Sequence, residues 1–516
     1  MVALVYCLNR GDILEKIAVI DLGSSKIELT LAKYTESGNY VIYRQMSETI
    51  KIVDSYDDDD GLLTVGKTKE PIEILKMYKM ICEVNQISNI IAVASSSLRT
   101  LKNYRSFMDE IYNVCGLKMR VMTEEDELST LYSGIVNSLD APKGVVAYIS
   151  GGSVRIIQYN RRNIINAAIV RFGTYSLAKV FDEEANTALA CQKMVQKFKE
   201  ELDKIEWLDY MEGEFSLIGY GSVCNNCAIL SRKLRKYPMD MTHNYVMSSE
   251  QLNDVYNLIS SLEINKNKKI KGTQMDRSDV LASGICMLKA LFQRLPFQNI
   301  TMSTKGITEG LLNGAVVPVN VERPADMLGV CLENSHIFYD DENNNSRQVS
   351  NLAIILFRQL KVLHKLPRGY TKVVRIAANM HDCGQRIKFF DHEKNSFHII
   401  LNTEFIGASH RETALAAFIS ANQATTDFNL AEWIKYKDIM QEEDLEAVKK
   451  LALIIRLAEA LDKTHRGVVQ DISCDILGDS VIMKTIVTMP AAIEIREAQK
   501  VASDFKKIFG KTLEIL

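Results

Sequence analysis

The chain has 516 residues, too many for one compact core, which sets an expectation of about two to four domains. Its apolar (47%) and charged (25%) fractions are those of a globular protein, not of a disordered or fibrous one. A formal net charge of only −3 gives no field favouring nucleic acid or an anionic membrane, and no run of ~18 apolar residues predicts a spanning helix.

The 10 cysteines are scattered, which predicts reduced thiols and a cytoplasmic location. Cys224 and Cys227 form a CxxC without a second pair, so buried helix cysteines are favoured over a metal site. Of the 8 histidines only His243 precedes residue 330, so histidine chemistry is not expected in the first 320 residues.

In chain order, the apolar start reads as a lead-in or a first strand, without a basic start or a cleavage signature. "KIAVIDLGSSKIELTLAKY" predicts a buried strand over 17–21, a polar turn, and a second strand with Ile27, Leu29 and Leu31 on one face. A helix, the strand "NIIAVAS" and a helix with a glycine stop follow. The opening theme then repeats as "GVVAYIS", a "GGSV" turn and a return strand. From about residue 316, apolar residues at helical spacing dominate, and the last stretch predicts a hairpin, a helix and a strand. The expected domains are 1–140, 141–315, 316–468 and 469–516.

Four constellations carry chemistry. In "DLGSSK", Asp21 ends a strand and Gly23, Ser24 and Ser25 form a turn whose N–H groups and hydroxyls suit a phosphate, while the aspartate suits a divalent metal. An ordinary hairpin is an equal reading. In "ASSSLRTLKN", a strand end delivers Ser95, Ser97, Arg99 and Asn103, where open α/β sheets collect ligands. In "TEEDELSTLYSG", Thr123 and Asp126 make a capping box, which puts Glu127 one turn into a helix. Glu127 there is either a base for a water or one more acid in an acidic first turn. In "MHDCG", His381 and Asp382 could hold a metal if His364, His392, His398 or Asp462 converged on them, although structural roles are favoured.

These pieces, in this order, resemble the Ppx/GppA phosphatase family of exopolyphosphatases and guanosine pentaphosphate phosphohydrolases. The marks are "IDLGSSKIELTLAK", "VASSSLRTLKN", "TEEDELSTLYSG", "YISGGSV", "VRFGTYSL", "DRSDVLASGICML", "STKGITEGLL", "MHDCG" and "RLAEALDKTH". The resemblance implies an α/β fold of two ribonuclease H-like (actin-like ATPase superfamily) domains, then a helical HD-like domain and a small α+β C-terminal domain. It implies removal of a terminal phosphate from inorganic polyphosphate or pppGpp by metal-assisted water attack. Glu127 matches the catalytic glutamate, and Asp21 and Glu127 the Mg2+ ligands. Gly23, Ser24, Ser25, Ser97, Arg99, Asn103, Gly151, Gly152, Ser153, Gly221, Ser222 and Arg277 match phosphate-binding positions. A homodimer would be in keeping with the family.

The second loop departs from the family pattern. Tyr148 stands where an aspartate is usual, and Arg155 where a glutamate is usual. A neutral tyrosine is a poor ligand for a hard cation, so a weakened Mg2+ site is expected. In the HD-like part, Asn345 or Gln348 and Asn395 stand at histidine positions, and no strong metal site is expected there. Two readings follow: a phosphohydrolase, or a catalytically impaired protein that binds polyphosphate or (p)ppGpp.

Overall fold

Strand-period alternation builds the first sheet. β1 (Glu15–Leu22) sends Ala18, Ile20 and Leu22 to one face and Ile17, Val19 and Asp21 to the other. β2 (Lys26–Tyr34) and β3 (Tyr40–Thr49) pair antiparallel beside it, and β4 (Asn89–Ala94) and β5 (Arg120–Val121) extend it in parallel, in the order β3-β2-β1-β4-β5. β3 is absent from the sequence expectation because its side chains are mostly exposed and show no apolar alternation. Helices α1 (Val65–Val84), α2 (Tyr104–Cys115) and α3 (Glu124–Val136) complete this lobe.

This computed structural model describes residues 15–516 except 24–25, 36–37, 51, 53–60, 162, 185, 212–214, 265–268, 276, 296, 317–325, 340–344 and 424–429. The expected lead-in over 1–14 and the turn residues Ser24 and Ser25 lie outside the described residues.

The second sheet repeats the first. β6 (Lys143–Ile149), β7 (Val154–Asn160) and β8 (Asn163–Val170) form the antiparallel meander, and β9 (Ser216–Tyr220) and β11 (Asn299–Ser303) run parallel to β6. β10 (Val246–Ser248) closes the edge, giving β10-β11-β9-β6-β7-β8. The inward faces of both sheets share one core: Ile17, Val19 and Val93 from the first, Val146, Ile157 and Ile218 from the second. The two lobes therefore form a single compact unit, up to Arg235 and from Thr242 to Met327.

The other unit comprises Lys236–Met241 and Leu328–Leu516. Leu352 and Leu356, Val373, Leu415 and Ile454 come from four of its helices and meet in one core. β12 (Val469–Ile476), β13 (Ser480–Val487) and β14 (Thr512–Ile515) form its sheet. Ile472, Val481 and Phe505 join the same core as the helices.

Candidate functional site

The repeated topology places two strand pairs in corresponding positions. Asp21 on β1 lies opposite Glu28 on β2, and Tyr148 on β6 lies opposite Arg155 on β7. Alternation from Val19 and from Val146 turns Asp21 and Tyr148 toward the shared core, and Tyr220, paired with Tyr148, follows Ile218 onto that face. Where the first lobe presents two acids, the second presents a phenol and a guanidinium. The Tyr148 and Tyr220 rings meet edge to face at 5.0 Å, and the Arg155 guanidinium carbon stands 5.4 Å from the Tyr148 ring centre.

Glu127 sits beneath this rim. The expected capping box forms, with the Thr123 hydroxyl accepting from the Asp126 N–H at 3.0 Å and the Asp126 carboxylate accepting from the Thr123 N–H at 3.2 Å. Glycines let α3 approach the helix Ile307–Val316: a Cβ on Gly134 would lie 1.8 Å from the Gly306 carbonyl oxygen, and one on Gly310 2.0 Å from that of Thr130. Glu127 is thereby held at the end of β4. Its Oε2 accepts from the Ser96 N–H at 3.0 Å and from the Ser96 hydroxyl, and Ser95 Oγ lies 3.4 Å from Oε1. Arg155 crosses from the second lobe to within 3.1 Å of Glu127 Oε1, with side chains 5% and 3% exposed. The same guanidinium reaches Ser96 Oγ at 3.4 Å, and its Nε has no hydrogen-bond partner.

Burial pushes the Asp21 carboxyl up to about 7, Glu28 adding to the rise, Lys26 opposing it and Glu127 contributing further. The Tyr148 hydroxyl is raised far above its ordinary value, by burial first, despite Arg155. It is neutral at physiological pH. Lys26 pairs with Glu28 at 2.7 Å.

The second loop closes on itself. The Ser150 N–H and hydroxyl donate to the Ser153 carbonyl at 3.0 and 2.8 Å, and Ser150 Oγ accepts from the Ser153 N–H at 3.3 Å. The Tyr175 N–H donates to the Gly151 carbonyl at 3.0 Å, and a Cβ on Gly151 would lie 2.2 Å from the Tyr175 ring. Arg277 covers that ring at 5.4 Å and forks onto the buried Asp279 carboxylate at 2.7 and 3.3 Å. Gly152 is exposed. Gly221 (φ +100°) leads into the helix Ser222–Arg235 beneath the Tyr148 ring, and buried Cys224 and Cys227 lie on that helix.

Not every predicted donor faces the site. Gly23 closes the first turn by donating to the Lys26 carbonyl at 2.9 Å. Ser97 Oγ lies 3.1 Å from Ser95 Oγ, beside the Glu127 carboxylate's partners. Arg99 donates from Nε to the Met122 carbonyl at 2.8 Å and from a terminal nitrogen to that of Val121 at 2.7 Å. Asn103 pairs with Leu63, accepting from its N–H at 2.9 Å and donating to its carbonyl at 2.8 Å, so both amide atoms are engaged in holding the chain. Sequence reasoning missed Ser96, Glu28 and Tyr220. The available signal for Tyr220 was its spacing from Ile218, which copies that of Tyr148 from Val146.

In the helical unit, His381 Nδ1 bonds the Ala378 carbonyl at 2.8 Å and Asp382 lies 3.9 Å away. His364 Nε2 bonds the Phe357 carbonyl at 2.7 Å and its ring stacks on Phe357. Asn345 reaches His465 at 3.4 Å, and Asp462 accepts from the Gly467 N–H at 2.8 Å. Among the described residues no group of three or more His, Cys, Asp and Glu side chains is placed to hold a metal ion. No helix among them is long and apolar enough to cross a membrane.

Two sheets that share a five-strand order, the second with β10 added at its edge, packed face to face with polar strand ends meeting at one rim, define a two-lobed α/β protein of ribonuclease H-like, actin-like ATPase type. The chain belongs to the Ppx/GppA phosphatase family. That family's sequence model matches residues 32–317, and the model of Ppx/GppA phosphatase domain III matches residues 333–506. A guanosine-5'-triphosphate,3'-diphosphate pyrophosphatase of Pseudoalteromonas translucida is 22% identical over 412 residues, covering 77% of this chain and 78% of that one. A putative exopolyphosphatase of Haemophilus influenzae is 21% identical over 305 residues, covering 59% and 92%. Among solved structures, the Aquifex aeolicus Ppx/GppA family member matches with a TM-score of 0.52 at 22% identity, over 60% of this chain and all (100%) of that one. An exopolyphosphatase from Cytophaga hutchinsonii matches at 0.52 and 18% identity, over 58% and 98%. These structural likenesses show the fold.

Proposed function

We propose that the rim between the lobes takes the terminal phosphates of a phosphoanhydride, inorganic polyphosphate or pppGpp, and hydrolyses it slowly. The names of the relatives supply the substrate class. The observation that carries the reading is the position of Glu127: one turn into α3, oriented by Ser95 and Ser96, at the meeting of both phosphate-loop strand ends. A carboxylate held there can orient a water and take its proton. Ser97, the 150–153 turn and the Gly221–Ser222 turn would flank the phosphates, with Arg277 setting the second loop through Tyr175.

The donor set does not fit Mg2+. Of the two proposed ligands, Glu127 already faces a guanidinium, and Asp21 has no second carboxylate from the other lobe, because Tyr148 offers only a neutral phenol at the corresponding position. No catalytic step is therefore assigned to a metal. The Arg155–Glu127 pair also ties up the proposed base, which is why turnover is expected to be slow. That pair favours a second reading, a protein that binds polyphosphate or (p)ppGpp without turnover.

Phosphate release from polyphosphate and from pppGpp, measured for wild type and Glu127→Ala, separates the two. A wild-type rate lost in Glu127→Ala supports the hydrolase. Binding of either anion without release supports the second reading. Neither release nor binding rejects both.

A further inference from the structure

The mirrored strand pairs carry an inference that rests on the phosphoanhydride reading above and goes beyond it. Among the described residues, the charged groups at the rim and its floor include Asp21, Glu28, Glu127 and Glu309 on one side of the balance and Lys26, Arg155 and Lys305 on the other. Lys26 pairs with Glu28 at 2.7 Å and Arg155 with Glu127 at 3.1 Å. A site built of carboxylates alone repels a phosphate chain until a cation neutralises it. Here two fixed cations, Lys26 and Arg155, each already placed by an ion pair, offset Glu28 and Glu127. Arg155 is the decisive one, because it occupies the position that corresponds by strand register to Glu28 and yet reaches Glu127 in the other lobe.

Arg155 also has unmet capacity. Its side chain is more than nine-tenths buried and its Nε–H has no partner. A buried guanidinium donor left unpaired is unfavourable, and an anion oxygen at the rim is the kind of acceptor that would satisfy it. The Tyr148 ring beside it, itself packed against Tyr220, keeps the surroundings poorly hydrated, so its charge acts at short range with little screening. We propose that this site binds a polyphosphate chain as the metal-free anion, with Arg155 supplying the positive charge that a divalent ion would otherwise bring.

The test is calorimetric titration of the full chain with inorganic tripolyphosphate and, separately, with pppGpp, in excess EDTA and in excess Mg2+. Affinity in EDTA is expected to equal or exceed that in Mg2+, since complexed Mg2+ lowers the charge of the ligand. Arg155→Gln should weaken binding in EDTA by about tenfold or more, and Arg155→Lys, which keeps the charge and guards against a folding artefact, should retain most of it. Manganese electron paramagnetic resonance gives an independent readout. Wild type should leave the free Mn2+ signal intact, whereas Tyr148→Asp/Arg155→Glu should quench it and make tripolyphosphate binding depend on the metal. Binding by wild type only when Mg2+ is present would overturn the proposal while leaving the phosphoanhydride reading in place. Absence of binding to either probe in both buffers would overturn that reading too. Preference for pppGpp over tripolyphosphate in EDTA would support a metal-free site that also holds the nucleoside.

Discussion

The Arg155 guanidinium lies 3.1 Å from the Glu127 carboxylate, and both side chains are buried. The two residues belong to different lobes and meet because α3 holds Glu127 at the end of β4 while β7 carries Arg155 toward the same rim. A buried ion pair is weak evidence for stability, but removing one partner leaves an uncompensated charge. Arg155→Met should therefore destabilise the two-lobed unit by about 3–5 kcal/mol. Arg155→Met/Glu127→Gln should recover most of that loss, because the amide oxygen still accepts from Ser96. Urea midpoints of the three proteins decide this. A double variant as unstable as the single one would show that the loss does not come from an uncompensated Glu127 charge.

Asp21 supplies a pH dependence. Its carboxyl, ordinarily near 3.8, is raised to about 7, chiefly by burial. Between those values the folded chain keeps a proton that the unfolded chain releases. Its contribution is thus full below about pH 4, falls as pH rises through the window and is gone above about pH 7, a change of at most ~4 kcal/mol. Asp21→Asn should flatten this part of the profile. Urea midpoints at about pH 5 and about pH 8, wild type against Asp21→Asn, measure it, and an identical pH slope in both would contradict the assignment.

The second loop depends on close backbone approach. A Cβ on Gly173 would lie 2.2 Å from the Gly151 carbonyl oxygen and 2.5 Å from the Gly152 carbonyl carbon. These are backbone atoms, so Gly173→Ala must displace the turn, at a cost of about 1–3 kcal/mol. Tripolyphosphate affinity should fall with it, while Gly152→Ala, whose Cβ meets nothing within 4 Å, should leave stability unchanged. Equal effects of the two substitutions on stability would contradict this packing.

In the helical unit, Asp444 is fully buried and accepts from Arg411 at 2.9 Å, from the Tyr370 hydroxyl at 2.5 Å and from the Gln441 N–H at 2.8 Å. Arg411→Ala should lower stability by about 3 kcal/mol, and Arg411→Lys should restore less than half, since an ammonium cannot fork onto both oxygens. Thermal unfolding followed by circular dichroism reads this, and full rescue by lysine would contradict it.

Local features of the site were legible in the residues. The period-2 alternation of β1 and β6, the Thr123–Asp126 box that sets Glu127 one turn into α3, and the Gly151–Gly152 turn all act over short stretches of chain. The replacements Tyr148 and Arg155 were visible too, and so was the change of charge they bring. What Arg155 does with its charge was not visible, because its partner lies in another lobe and no local period encodes that meeting. Asn103 and Arg277 illustrate the same limit. Their chemistry suits phosphate, yet Asn103 is engaged by the Leu63 backbone, while Arg277 grips the buried Asp279. β3 escaped notice because a mostly exposed strand has no apolar alternation to betray it.

Tyr148 and Arg155 together are expected to hold down hydrolysis at the site where Glu127 stands as the proposed base. The measurement is phosphate release from polyphosphate and pppGpp by Tyr148→Asp/Arg155→Glu, in excess Mg2+ and beside wild type. Release by the double variant should be at least ~10-fold faster than by wild type, equivalent to about 1.4 kcal/mol of barrier. A folded double variant that binds tripolyphosphate but releases phosphate no faster than wild type would contradict it.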